Sequence, residues 1–336
     1  METVLAQTVS DWELIVCDSY SADGSWEFLQ KFKNDPRVRL FQVPREGLYA
    51  GWNECLRRAT GEFVYFATAD DTAGSVCLER LSGALGSYSN VDLAICRYEV
   101  IDETGMPFVP QLRNVGSFYK EWLNVPHLRR GLLEFFVHVG LDTPSWGSMT
   151  AVMFRRRLLE KTGLFRTDCG AWADWYWAIR TSLFTDTLFV PEVLATWRRH
   201  SSQATQASNS IMVAKRRYRM LENVVQECLE YLPKSMTEDP QWPQALLRNS
   251  RGEYLKKIGL DRLTLLMHPM TLIKGAAYAS IHEPHYLLAR LLRGLTWEQD
   301  FSGNEEDYLR RLMERMSVPW PPTSLVLPRA SILPGL

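Results

Sequence analysis

No stretch of this 336-residue chain is apolar for long enough to cross a membrane. The longest uncharged apolar run, Leu263 to Ile273, falls well short of the ~20 residues a spanning helix needs. Charge of one sign is equally lacking: 38 basic and 39 acidic residues leave a formal charge of −1, which excludes a global pull toward nucleic acid or anionic lipid. The six cysteines (Cys17, Cys55, Cys77, Cys96, Cys169 and Cys228) include no CxxC pair. They read as buried thiols in a reducing compartment, not as a disulfide framework or zinc site. The first residues lack the basic segment and long apolar core of a secretory signal, and the chain shows no internal repeat. What is present, 46% hydrophobic and 12% aromatic residues, is enough for a full-sized core.

The first half alternates short apolar runs with amphipathic stretches. Strands are expected at 12–17, 38–43, 62–67 and 91–96, and helices at 25–33, 47–59 and 75–88. Ser25 is placed to cap the first helix, Asn34-Asp-Pro36 to break it, and Thr60-Gly61 to end the second. Such alternation implies a mostly parallel sheet flanked by helices, with ligands beyond the carboxyl ends of the strands. Asp18 and Asp70-Asp71 fall at such ends. Residues 102–147, with four prolines, read as loops and short helices. Beyond them a strand at 149–154, helices at 155–162 and 172–184, and strand pieces at 187–190 and 193–197 are expected.

After a Ser/Gln/Asn-rich stretch, residues 211–316 carry only helical spacing, so a boundary is placed near 208. Three regions follow: a catalytic-type α/β domain over 1–208, a helical region over 209–318, and a Pro-rich tail over 319–336 that reads as loosely held.

Adjacent carboxylates at the end of an apolar strand repel each other unless a cation offsets the charge, and hard cations such as Mg2+ favour carboxylate and phosphate oxygens. Alternatively, one acid of Asp70-Asp71 caps the next helix and the other is solvated. The order and spacing of Leu5 to Asp18, Asp23-Gly-Ser-Trp26, Asp35-Pro-Arg-Val-Arg39, Gly47 to Asn53 and Gly61 to Asp71 carry more information. Together they resemble the N-terminal half of the family 2 glycosyltransferases with the GT-A fold, over about residues 1–105 and again over 172–203.

That resemblance implies a role for each matching residue. Asp18, with Ser19, matches the acidic segment that faces the nucleotide base, and Asn53 lies in a matching donor-side motif. Asp70 matches the second acid of the DxD motif, reaching a metal (Mg2+ or Mn2+) and the donor diphosphate, and Asp71 follows it. Asp174 matches the acid that serves as general base on the acceptor hydroxyl. Arg198 and His200 match an Arg-x-His segment near the diphosphate, with His200 a second metal ligand. Trp172, Trp175, Tyr176 and Trp177 could stack on a sugar; the alternative is a first-turn acid beside core tryptophans. His200 could equally be a surface residue, and His127, His138, His268, His282 and His285 read as structural.

The sequence departs from the family pattern in four places. The first strand has no counterpart here. Ser19 stands for a second acid, Thr68 for the first acid of the DxD motif, and Trp52 and Ala173 for an Arg and a Glu. The expected activity is transfer of a sugar from a nucleotide-diphosphate donor to an acceptor such as a polysaccharide precursor or lipid-linked sugar, with inversion and metal assistance. The alternative is a catalytically impaired sugar- or partner-binding module. A cytoplasmic protein is expected. Residues 263–295, apolar with interspersed Arg and Lys, read first as a helical cap packed on the catalytic domain; the alternative is a peripheral contact with the inner face of a membrane.

Overall fold

The computed structural model describes residues 1–108, 115–201, 211–258, 277 and 304–328. Two compact units emerge: Met1–Phe135, Pro144–Gln203 and Pro319–Leu336 form the first, Phe136–Thr143 and Ala204–Val318 the second. The expected boundary near 208 lies outside the described residues.

The first unit runs α1 (Glu2–Leu5), β1 (Leu14–Asp18), α2 (Ser25–Gln30), β2 (Val38–Gln42), α3 (Leu48–Arg58), β3 (Phe63–Tyr65), β4 (Thr72–Ala73), α4 (Cys77–Ser87) and β5 (Leu93–Ile101). It continues with α5 (Val115–Phe118), β6 (His127–Arg129), the first half of α6 (Gly131–Gly140, whose residues from Phe136 on belong to the second unit), β7 (Val152–Arg155), α7 (Leu159–Thr162), α8 (Ala173–Thr181) and β8 (Thr187–Arg198), and β9 (Thr323–Ser324) returns from the tail. β1 and β2 form a parallel pair, in register from Leu14↔Val38 to Asp18↔Gln42. The larger sheet has the order β3-β7-β5-β8-β6-β9, with β4 on β8.

Within that sheet only β5 and β8 run parallel; the other pairings are antiparallel. The sheet is therefore mixed, where the strand–helix alternation pointed to a mostly parallel one. Apolar runs carry no direction, and β7 reaches its place between β3 and β5 only after the chain has passed through β6 and α6. β8 is one strand, not two pieces. Pro191, which has no N–H to give a ladder, falls where the register slips from Cys96↔Val190 to Arg97↔Val193.

Side-chain alternation divides the core into two layers. Leu93, Ile95, Val152, Phe154 and Phe189 face one side, with Tyr49 and Leu56 of α3 and Ala173 and Trp177 of α8. Ala94, Cys96, Met153, Leu188 and Val190 face the other, with Cys77, Leu81, Ala84 and Leu85 of α4. Helices thus cover both faces, as expected.

The described residues within 102–147 are more ordered than their prolines suggested. They contain β6 and the ten-residue α6. Their polar centre is fully buried: Glu134 accepts from Tyr119 Oη (2.6 Å), Ser145 Oγ (2.8 Å) and Trp146 Nε1 (2.8 Å). Arg129 donates through Nε to His127 Nε2 (2.9 Å), whose Nδ1 lies 2.7 Å from the Val125 carbonyl oxygen. Burial and Arg129 push the His127 imidazole down to about 3, so it stays neutral, as a structural histidine should.

α6 begins where its backbone crosses the end of α8. A Cβ at Gly131 would lie 1.9 Å from the Ser182 carbonyl oxygen and 2.8 Å from that of Thr185. Gly131→Ala is expected to destabilise the fold by about 3 kcal/mol or more, since backbone rather than a flexible side chain must yield. Denaturant titration checks this; an unchanged midpoint would contradict the close approach.

The tail is not loosely held over its described part. β9 pairs β6, Trp320 packs edge-on against Phe118 (4.9 Å), and Leu325 and Leu327 cover the α4-side core layer. Tyr88 Oη donates to the Val326 carbonyl (2.9 Å).

The described residues of the second unit include α9 (Ile211–Cys228), α10 (Lys234–Thr237), α11 (Trp242–Leu246), α12 (Arg248–Lys257) and α13 (Glu305–Arg315). Tyr218 of α9 stacks on Tyr254 of α12 at 5.9 Å. No described helix is long and apolar enough to cross a membrane. Apart from Ala277, the expected membrane-facing stretch 263–295 lies outside the described residues.

Candidate active site

The acidic pair lies where β4 is sewn to the carboxyl-terminal end of β8. Thr72 pairs with Thr196, and the parallel partner β5 ends beside Arg198 (Ile101↔Arg198). The two acids have different surroundings. Asp71 turns inward: its Oδ2 accepts from Thr68 Oγ1 (2.6 Å) and Thr150 Oγ1 (2.9 Å), and its Oδ1 from the Arg198 N–H (2.8 Å). Burial pushes its carboxyl above the ordinary range, against the pull of those hydrogen bonds. Asp70 keeps a side chain 39% exposed, and its Oδ2 sits 3.1 Å from His200 Nε2. The dipeptide therefore combines a structural tie, Asp71, with an open carboxylate–imidazole pair, Asp70–His200.

Thr68, which replaces an acid in the family pattern, has a definite task as the donor that fixes Asp71. Arg198 donates through Nε to the Asp70 carbonyl (3.0 Å) and through Nη1 to the carbonyls of Asp102 (2.9 Å) and Glu103 (3.3 Å). It braces the loops that follow β3 and β5 and sets a fixed positive charge beside Asp70.

Asp174 opens α8, with its Oδ1 accepting the Trp175 N–H at 2.8 Å. Desolvation pushes its carboxyl up, and a hydrogen bond from the Tyr49 hydroxyl pulls the other way. That hydroxyl also lies 3.2 Å from the Ala171 carbonyl oxygen. Of the four aromatics near Asp174, Trp175, Tyr176 and Trp177 are buried, and Trp177 donates to Thr162 Oγ1 (3.1 Å). Only Trp172 keeps enough exposure to meet a sugar ring.

Asn53 is buried. Its Nδ2 donates to the Phe165 carbonyl (2.8 Å), and its Oδ1 accepts the Phe165 N–H (3.0 Å). Both ends of the amide are thus used as a clamp between α3 and the loop before α8. Trp52, in place of an Arg, stacks on Phe66 (4.5 Å) and meets Phe165 edge-on (5.5 Å). The aromatic core that supports Asp174 therefore extends under the segment leading to Asp70.

Asp18 ends β1 in a buried position. Its Oδ2 accepts the Ser21 N–H (3.0 Å), and its carbonyl oxygen accepts the Val43 N–H (2.9 Å). Ser19 follows, partly exposed, at the start of a tight turn.

Two residues of this arrangement were given no role by the sequence. Thr150 belongs to a short helical turn before β7 and Tyr49 to the first turn of α3. Each becomes part of the site only because a remote segment folds against it.

A family model described as glycosyl transferase family 2 matches residues 1–163. An uncharacterized protein of Mycobacterium tuberculosis, MT1568, is 28% identical over 217 residues, covering 64% of this chain and 66% of its own length. An Escherichia coli enzyme named UDP-Glc:alpha-D-GlcNAc-diphosphoundecaprenol beta-1,3-glucosyltransferase WfgD is 29% identical over 107 residues, 32% of this chain and 42% of that one. The chain thus spans less than two thirds of the length of these relatives. Among solved structures, Staphylococcus aureus TarS 1–349 in complex with UDP-GlcNAc superposes with a TM-score of 0.59 at 16% identity, covering 94% of this chain and 86% of that one.

Proposed function

Because residues 1–163 place this chain in glycosyl transferase family 2, we propose that it transfers a sugar from a nucleotide-diphosphate donor to an acceptor hydroxyl, with inversion at the sugar carbon. The observation that carries this reading is the separation of roles between neighbouring acids, with Asp71 tied inward and Asp70 open beside His200. The UDP-GlcNAc complex of TarS supports a UDP-linked donor, and the name of WfgD supports a lipid-linked acceptor. Such an acceptor would place the protein in the cytoplasm, at the inner face of a membrane.

Asp70 and His200 fit a hard divalent cation, Mg2+ or Mn2+. Among the described residues no group of three or more His, Cys, Asp and Glu side chains gathers. The chain would supply one carboxylate and one imidazole, leaving the other positions to diphosphate oxygens and water. When bound, the cation offsets the negative charge that grows on the departing diphosphate.

The remaining tasks belong to the chain. Asp18 and Ser19, at the end of β1, serve the nucleoside. Arg198 holds the loops after β3 and β5 in one arrangement, so the donor site is formed before the donor arrives. Asp174 takes the acceptor proton as the new bond forms; its raised basicity suits that task. Thr68 and Trp52 depart from the family pattern, yet each has a structural role, which supports an enzyme over an impaired module.

Release of nucleoside diphosphate from UDP- and GDP-linked sugars, with Mn2+ or with chelator, tests the proposal. Cation-dependent turnover of at least one donor is expected; binding without any turnover would favour the non-catalytic module.

A further inference from the structure

We infer that Tyr20 is the platform on which the base of the nucleotide stacks. This rests on the nucleotide-donor reading above and adds to it a residue that the family pattern does not assign.

Tyr20 combines two features that folding does not explain. Its backbone lies in the left-handed region, at φ +56, where a bulky side chain meets its own carbonyl. The residue is 62% exposed, so burial returns little for that strain. Glycine or asparagine would occupy the same turn with less penalty. The turn itself is firmly built: Asp18 accepts the Ser21 N–H across it at 3.0 Å, and the Val43 N–H ties the end of β2 to the Asp18 carbonyl at 2.9 Å. Tyr20 is thus held in an unfavourable backbone state with its ring presented to solvent. Strain that persists in this way concentrates at ligand sites.

The place also fits. Tyr20 lies two residues past the carboxyl end of β1, which runs parallel to β2, and ligands of open α/β sheets bind beyond such ends. A tyrosine ring is flat and rigid, with few rotatable bonds, and offers a π-face to any nucleobase. Stacking supplies affinity with little choice among bases, so Tyr20 would strengthen binding of uridine and guanosine diphosphates alike. Pyrophosphate, which has no base, would gain nothing from it.

The test compares wild type with Tyr20→Gly, Tyr20→Asn and Tyr20→Phe in the full chain. Unliganded Tm and calorimetric Kd for UDP, GDP and inorganic pyrophosphate are measured in Mn2+. Tyr20→Gly and Tyr20→Asn are expected to raise Tm by about 2–4 °C, because both accept the left-handed turn. The same two variants should weaken UDP and GDP by about 10-fold or more and leave pyrophosphate unchanged. Tyr20→Phe, which keeps the ring, should bind as wild type does. Asparagine guards against the added flexibility of glycine: a loss with glycine alone would overturn the inference. So would unchanged UDP and GDP affinity in both ringless variants, and in that case the donor reading would stand. If wild type binds pyrophosphate but neither nucleotide more tightly, the nucleoside site itself is wrong and Tyr20 falls with it.

Discussion

Asp174→Asn is expected to lower turnover by about 10²- to 10⁴-fold, the usual contribution of a positioned general base, while the protein stays folded. The stability side follows from the sign of the carboxyl's shift. Burial raises the Asp174 pKa in the folded state above its unfolded value, so the folded protein binds the proton more tightly. Stability at this site is then greatest at low pH and declines as pH rises through the folded pKa. At pH 7 the wild-type charge is a burden that asparagine removes, and the variant should be at least as stable as wild type. A loss of turnover with a matching loss of Tm would point to a structural acid.

Tyr49 sharpens the same expectation. Its hydrogen bond favours the charged carboxylate, so Tyr49→Phe should raise the Asp174 pKa further. The acid limb of kcat/KM against pH should move to higher pH. A merely structural tyrosine would lower activity evenly across pH and leave the limb in place.

The second large effect separates two neighbouring acids. Asp70→Ala is expected to abolish the Mn2+-dependent part of donor binding, with a rise in donor Kd of about 100-fold. Stability should stay within about 0.5 kcal/mol, because the side chain is partly solvated and its partner His200 remains accessible. Asp71→Ala should act in the opposite order. It leaves the Thr68 and Thr150 hydroxyls and the Arg198 N–H without their acceptor, at about 1–3 kcal/mol for each donor that finds no water. A marked fall in Tm is expected first, with donor affinity falling as a consequence. Thermal melts and calorimetry on both variants distinguish the two; equal losses of Tm would mean that the acids do not divide the work as their contacts indicate.

The layers of the fold were legible wherever one apolar run maps onto one strand or helix. β1, β2, α3, α4 and α8 fall close to their expected spans, because burial on one face imposes a period. Pairing direction was not legible. β7 enters the sheet antiparallel between β3 and β5, and no side-chain pattern distinguishes that from a parallel neighbour.

At the candidate site, the family resemblance implied roles for Asp70, His200 and Asp174, and the structure brings the first two together. The roles of Asp71, Asn53 and Arg198 each depend on a backbone group more than 100 residues away, Asp71 with the Arg198 N–H, Asn53 with Phe165 and Arg198 with the Asp70 carbonyl, which a linear motif does not contain. The left-handed turn at Tyr20 was hidden for the opposite reason, since tyrosine is the wrong residue type from which to expect it.

The most direct measurement is a thermal-shift screen of the full chain against UDP- and GDP-linked sugars, each with and without Mn2+. A ligand that binds only the native state adds about 2.7 kcal/mol of apparent stability at a hundred times its Kd. At least one nucleotide-sugar should raise Tm by several degrees with Mn2+ present, and Asp70→Ala should erase most of that rise. If no nucleotide-sugar shifts Tm under either condition, the site at Asp70 and His200 does not bind a donor.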